Sequence, residues 1–198
     1  MITALEQLDL NGKYNYADYL TWRFDQFIEL LRGRVMPMSA PKRVHQRISV
    51  KLVRMIDAFL SANPCGCEVY SAPFDVRLPS GKFSSDKEIY TVVQPDLCVI
   101  CDPEKLDERG CLGAPDLIVE IISENSAKRD LKDKFVLYAE SGVREYWIVR
   151  PEEQSVTQFI AENGKYSFVN TFTQEDIIAA IVLPEMKIDL SEVFQQQS

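Results

Sequence analysis

Glu120 is the residue with the most chemical consequence, because it interrupts the apolar run DLIVEII at 116–122. Side chains alternate across a strand, so Ile118, Glu120 and Ile122 share one face and Leu117, Val119 and Ile121 share the other. A glutamate is almost never fully buried unless it is paired or bound to a metal. Glu120 is therefore either half of a structural salt bridge or one carboxylate of a reactive site. Two Pro-Asp pairs precede it, Pro95-Asp96 and Pro115-Asp116. Asp116 stands four residues back on the same strand, roughly 13 Å away, too far to share a cation whose oxygens lie about 2.0–2.6 Å from it. Asp116 is expected at the strand's start or facing a loop. Asp96 opens the preceding run DLCVI at 96–100, and an adjacent strand lies only ~4.8 Å away. Asp96 is the partner the spacing allows.

The elements that must position these carboxylates follow from periodicity. The runs at 96–100 and 116–122 are nearly all apolar, as expected of strands buried on both faces of a mixed sheet under helices. Segment 42–62 is an amphipathic helix, with Val44, Ile48, Leu52, Met55, Ile56 and Phe59 on one stripe, Pro41 at its start and Asn63-Pro64 at its end. Residues 128–141 form a second helix, with Leu131, Phe135 and Tyr138 aligned and Gly142 stopping it. FIELL and RVMPM flank Arg32-Gly33 as a hairpin. Residues 14–26 look helical, CEVYSAPFDVRLP reads as a strand, and REYWIV at 144–149 is another. A polar hairpin turns at Asn163-Gly164, and the tail ends in IDLSEVF. No repeat, low-complexity tract or linker divides residues 1–198, so the expectation is one α/β domain.

Composition narrows the function classes. The chain has 198 residues, 46% of them hydrophobic, enough for one sizeable core. There is no apolar stretch of membrane-spanning length and no signal-peptide pattern, so a cytoplasmic location is expected. The five cysteines are an odd number without secretory context, which favours reduced thiols. Cys98 and Cys101 differ by three positions and should point to opposite faces of a strand, which disfavours a zinc site with Cys65 and Cys67. Ser123 has no GxSxG context, and no Walker A or GxGxxG sequence is present. A net charge of −8 matches a polyanion poorly, unless bound cations supply local positive charge. Lys42, Arg43, Arg47, Lys51 and Arg54 form the one candidate basic patch.

Asp96, 23 intervening residues and then Glu120 resemble the PD-(D/E)XK motif of nucleases, in which an Asp and a Glu hold a divalent metal beside a Lys two residues after the Glu. Here that lysine position is Ile122. The segment APDLIVEIISENSAKRDLKDKFVLYAESGVREYWIVRP is nevertheless similar to the signature of the Uma-type family of restriction-endonuclease-like proteins. The resemblance extends through FIELLRGRVMPMSAPKRVHQRI and VQPDLCVI and covers roughly residues 15–190. It implies a restriction-endonuclease-like fold, a central mixed β-sheet flanked by helices. It also implies Asp96 and Glu120 as metal ligands, and Lys134 as a catalytic lysine relocated to the following helix.

Helical spacing agrees, because Asp130, Lys134 and Tyr138 lie on one helix face and a lysine stem can carry its ammonium to a site edge. An ordinary Asp130–Lys134 surface pair is the alternative, and on either reading replacing Lys134 is expected to leave folding nearly unchanged. His45, the sole histidine, shares the stripe of Ile48 and Ile56 and faces core or cleft. The resemblance places a histidine there, so it is a candidate catalytic residue as well as a candidate core histidine. Glu29 corresponds to the family's acidic residue in the first hairpin, either a further metal ligand or a hairpin salt bridge. The chain departs from the family at Arg32, where an acidic residue is usual before Gly, and at Arg150, where Asp usually precedes Pro.

The expected function is a Mg²⁺-dependent (or Mn²⁺-dependent) DNA endonuclease, and the resemblance also implies a homodimer, because two sites are needed to cut both strands. The alternative is a nuclease-derived module that binds nucleic acid or protein and no longer cuts. Ile122 and the charge of −8 favour the module. Asp96, Glu120 and Lys134 favour the enzyme, since neighbouring carboxylates without a metal repel.

Overall fold

The apolar runs at 96–100 and 116–122 become neighbouring strands in the middle of a mixed sheet. The computed structural model describes residues 2–81, 85–122 and 128–195. In chain order the elements are α1 (Tyr16–Tyr19), β1 (Ile28–Leu31), β2 (Arg34–Pro37), α2 (Arg43–Ala62), β3 (Glu68–Ser71), β4 (Val76–Arg77) and β5 (Val92–Val93). Then follow β6 (Leu97–Ile100), β7 (Leu106–Asp107), β8 (Gly110–Leu112), β9 (Leu117–Ile121), α3 (Lys128–Ser141), β10 (Glu145–Arg150) and β11 (Ser155–Glu162). β12 (Lys165–Thr173), β13 (Ile177–Ala179), β14 (Lys187–Asp189) and α4 (Leu190–Phe194) complete the order.

The main sheet runs β12-β11-β10-β9-β6-β3. β9 and β10 pair in parallel through the α3 crossover, and the other pairs are antiparallel. The alternation expected at 117–122 is observed. Leu117, Val119 and Ile121 pack against Ile48, Leu52, Ile56 and Leu60 of α2. Ile118 and Ile122 lie on the opposite side with Leu137 and Tyr138 of α3. Two helices thus cover the two faces of β9, as the continuous apolar runs require. Among the described residues no helix is long and apolar enough to cross a membrane.

A second six-stranded sheet, β2-β1-β5-β4-β8-β7, goes beyond the hairpin expected from sequence. It carries Glu29 on β1, where Arg32 (φ 52°) and Gly33 (φ 89°) make the tight hairpin turn. The expected strand at 67–79 is divided. β3 joins the main sheet, a cis Ala72–Pro73 bond turns the chain, and β4 enters the second sheet. The helix expected over 14–26 shrinks to one turn, closed by a capping box between Asn15 and Asp18. Its apolar spacing serves an aromatic cluster of Tyr14, Tyr19, Trp22 and Phe24 instead.

The expectation of five reduced thiols is also corrected. Register places Glu68 opposite Ile100, so the next pair outward is Cys67 and Cys101, which form a disulfide. Cys65, Cys98 and Cys111 are free.

Glu145 anchors the chain beyond β13. It is fully buried, and its carboxylate accepts from Trp147 Nε1, Gln158 Nε2 and the backbone N–H groups of Ile181 and Val182 at 2.6–2.8 Å. Glu145→Leu removes the acceptor of four donors, three of them in buried hydrogen bonds (Trp147 Nε1, Gln158 Nε2 and the Val182 N–H), each costing about 1–3 kcal/mol when left unmade. Urea denaturation is expected to show a loss of at least ~3 kcal/mol; a midpoint equal to the parent's would contradict this anchoring.

Candidate active site

β6 and β9 pair antiparallel with Leu97 opposite Val119. Continuing that register by one step sets Asp96 opposite Glu120 on one face, where Cβ atoms of such pairs lie about 4.5–5.5 Å apart. Asp96 is fixed at both oxygens. Its Oδ2 accepts from the Ile121 N–H at 2.6 Å, and its Oδ1 lies 3.0 Å from His45 Nε2 in the first turn of α2. The helical stripe that carries His45 therefore ends in the cleft, not in the core.

Lys134 reaches in from α3. Its ammonium donates to Glu29 Oε1 at 2.9 Å and to Glu120 Oε1 at 3.0 Å. One turn later, Tyr138 OH donates to the same Glu120 oxygen at 2.7 Å. The Lys134, Glu29 and Glu120 side chains are only 14%, 6% and 12% exposed. The surface placement of Lys134 is thus corrected: a helix face that is polar at Lys134 and Tyr138 is buried because two carboxylates meet it. The Asp130 side chain and Ser123 lie outside the described residues.

Asp116 sits at the start of β9, accepting from the Cys101 N–H and from Arg144, in agreement with its exclusion from the site. The basic patch is divided. Lys42 and Arg54 line the cleft, whereas Lys51 Nζ donates to the carbonyls of Glu192 and Gln195 at the end of α4. Arg150 turns to Thr157 and takes no part.

Electrostatics follow from this packing. Burial raises the Glu120 carboxyl strongly, Lys134 lowers it, Asp96 and Glu29 raise it and the Tyr138 hydrogen bond lowers it, leaving it pushed up to about 7. Burial lowers the Lys134 pKa, but Glu120 and Glu29 outweigh it and hold the ammonium charged. For His45, burial is outweighed by the hydrogen bond and charge of Asp96 and the charge of Glu120, so its pKa is raised.

The cleft over these groups has a volume of about 1530 Å³ and lies between the β1–β2 hairpin and the N-terminal half of α2. Among the described residues no three His, Cys, Asp or Glu side chains are grouped closely enough to hold a metal alone. Asp96 and Glu120 could hold one as a pair, with water and substrate at the remaining positions, the usual arrangement for Mg²⁺. The donors suit that ion: they are carboxylate oxygens, and among the described residues no hydrogen bond engages Glu120 Oε2.

Gln94, Tyr138 and Tyr146 also belong to this region and were not identified from sequence. Tyr138 was aligned with Lys134 by helical spacing, and Gln94 stands two residues before Asp96, so a same-face argument could have found both. Gln94 Oε1, His45 Nδ1 and Tyr146 OH are buried without a hydrogen-bond partner among the described residues, and their side chains line the cleft.

Two outcomes follow for the metal-free protein. Lys134→Ala leaves two carboxylates facing each other in the interior and is expected to lower stability by about 3–5 kcal/mol, read by thermal or urea denaturation. Glu120 holds its proton more tightly folded than unfolded, so its contribution is fully present below pH 4.5 and is lost as pH rises through about 7. Stability measured across that window in EDTA should fall less steeply for Glu120→Gln than for the parent.

Similar known proteins bear on the family and the fold of the chain. The family model described as "Uma2: Putative restriction endonuclease" matches residues 16–191. An uncharacterized protein of Synechocystis sp. is 27% identical over 129 residues, 64% of this chain. The match spans 63% of the length of that curated relative. The crystal structure of "a putative nuclease belonging to DUF820" from Anabaena variabilis superposes with a TM-score of 0.70 at 16% identity, covering 91% of this chain and 97% of that one. At that identity the likeness establishes the shared mixed α/β fold. With the family model matching most of its length, the chain belongs to the Uma2 family.

Proposed function

We propose that the chain is a divalent-cation-dependent nuclease that hydrolyses phosphodiester bonds in DNA. The observation that carries this reading is the ammonium of Lys134, which reaches Glu120 from α3 while Ile122 fills the usual lysine position. Asp96 and Glu120 are the cation's ligands, with Mg²⁺ or Mn²⁺ as the ion. When bound, such a cation polarises the scissile phosphate and lowers the pKa of water.

The chain's own residues do the rest. Glu29 holds Lys134 in place through Oε1. Lys134 presents a fixed positive charge for the negative charge that develops on the phosphate. Tyr138 orients the Glu120 carboxylate. His45 fixes Asp96 through Nε2 and, when protonated, adds positive charge beside the substrate. A cut in both strands calls for two copies of the site, which supports a homodimer as the working unit.

The test is cleavage of plasmid and oligonucleotide DNA in Mg²⁺ or Mn²⁺, with each variant's fold checked by near-UV circular dichroism. Lys134→Gln is expected to lower the rate on the order of a hundredfold or more. Mg²⁺ is expected to raise the melting temperature of the parent and to lose most of that effect in Asp96→Asn. Equal metal response in Asp96→Asn would place the ion elsewhere. A parent that cuts no substrate in either metal would favour the module that binds without cutting, the reading that Ile122 and the charge of −8 also favour.

A further inference from the structure

Gln94 is 6% exposed and makes three hydrogen bonds. Its backbone N–H donates to Glu29 Oε1 at 2.8 Å, and its Nε2 donates to Asp75 Oδ1 at 2.8 Å and to Tyr19 OH at 3.3 Å. Asp75 and Tyr19 stand outside the cleft, whereas Gln94 lines it with Glu29, Asp96 and Glu120. With Nε2 turned to Asp75, Oε1 is left buried and without a partner among the described residues. An acceptor left unmade at this depth costs about 1–3 kcal/mol.

The chemistry of the surroundings selects what satisfies it. Gln94 precedes Asp96 by two residues, its backbone N–H is bound to Glu29, and the Glu29, Asp96 and Glu120 that line the cleft with it are carboxylates. Non-bridging phosphate oxygens only accept hydrogen bonds, so a phosphate cannot serve Oε1. A donor drawn to a group of anions can. Mg²⁺ gives up its water reluctantly and keeps several water ligands, and each of those is a polarised donor.

We propose that Gln94 is a positioning residue whose Oε1 accepts a hydrogen bond from a water of hydration on the cation held by Asp96 and Glu120. This rests on the reading of those two residues as cation ligands. Groups in this position around a metal typically change its affinity ten- to a hundredfold when removed.

The experiment is calorimetric titration of the metal-free full chain with MgCl₂ and MnCl₂, without DNA. Gln94→Met removes the carbonyl at similar volume, and Gln94→Asn keeps an amide but withdraws the carbonyl by one methylene. Each is expected to weaken Mg²⁺ binding on the order of tenfold or more, with near-UV circular dichroism unchanged. A folded variant of either kind that binds Mg²⁺ within threefold of the parent overturns the proposal, and Gln94→Asn decides if Gln94→Met does not fold. A purely structural role would lower the melting temperature of both variants and leave their affinity alone, which also overturns it. So would a Gln94→Met protein that keeps its cation affinity but loses DNA binding in EDTA, because the amide would then contact nucleic acid. If the parent itself binds neither cation, the reading of Asp96 and Glu120 fails first and the role of Gln94 falls with it.

Discussion

A single ammonium group, that of Lys134, lies between the carboxylates of Glu29 and Glu120 and ties α3, β1 and β9 together. All three side chains are largely removed from water. Such an arrangement is stable only while it is complete, because desolvating these charges costs several kcal/mol per ion and the mutual attraction must offset it. The second sheet is held against the main one partly by this contact. Much of the surrounding architecture serves it: Gln94 donates to Glu29, Tyr138 donates to Glu120, and the parallel β9–α3–β10 crossover carries Lys134 back over Glu120.

Charge balance then defines what the cleft accepts. Three carboxylates, from Glu29, Asp96 and Glu120, face one lysine and one histidine. Burial, with the charges of Asp96 and Glu29 added to it, holds the Glu120 carboxyl above its ordinary range. A divalent cation between Asp96 and Glu120 would relieve it, and would also let a chain of net charge −8 approach a polyanion. Lys42 and Arg54 on the cleft wall add further positive charge.

How much of this was legible in the sequence depends on the range of each interaction. Strand alternation placed Glu120 correctly on a face opposite Leu117, Val119 and Ile121, and spacing chose Asp96 over Asp116. Both are local rules, and both agree with the register of β6 and β9. Helical spacing aligned Lys134 with Tyr138, but only the family resemblance directed Lys134 toward Glu120. Its second partner, Glu29, is 105 residues away, and no periodicity reports a contact of that separation. The second sheet escaped notice because β4, β5 and β7 are two residues long, too short for a period of two to be seen. The Cys67–Cys101 pair depends on the register of β3 and β6, strands about 25 residues apart in the chain, and cysteine counting does not report it. Residues 14–26 have helical spacing, yet their aromatic rings pack together with Ile28 and Leu30 of β1.

The central claim, that Asp96 and Glu120 form a cation site beside Lys134, is tested most directly by anomalous diffraction from crystals soaked in Mn²⁺. The account predicts an anomalous peak between the two carboxylates, with oxygen ligands at about 2.0–2.6 Å and with Lys134 still bound to Glu29. Manganese bound only elsewhere on the chain, or no peak between Asp96 and Glu120 at saturating Mn²⁺, would contradict it.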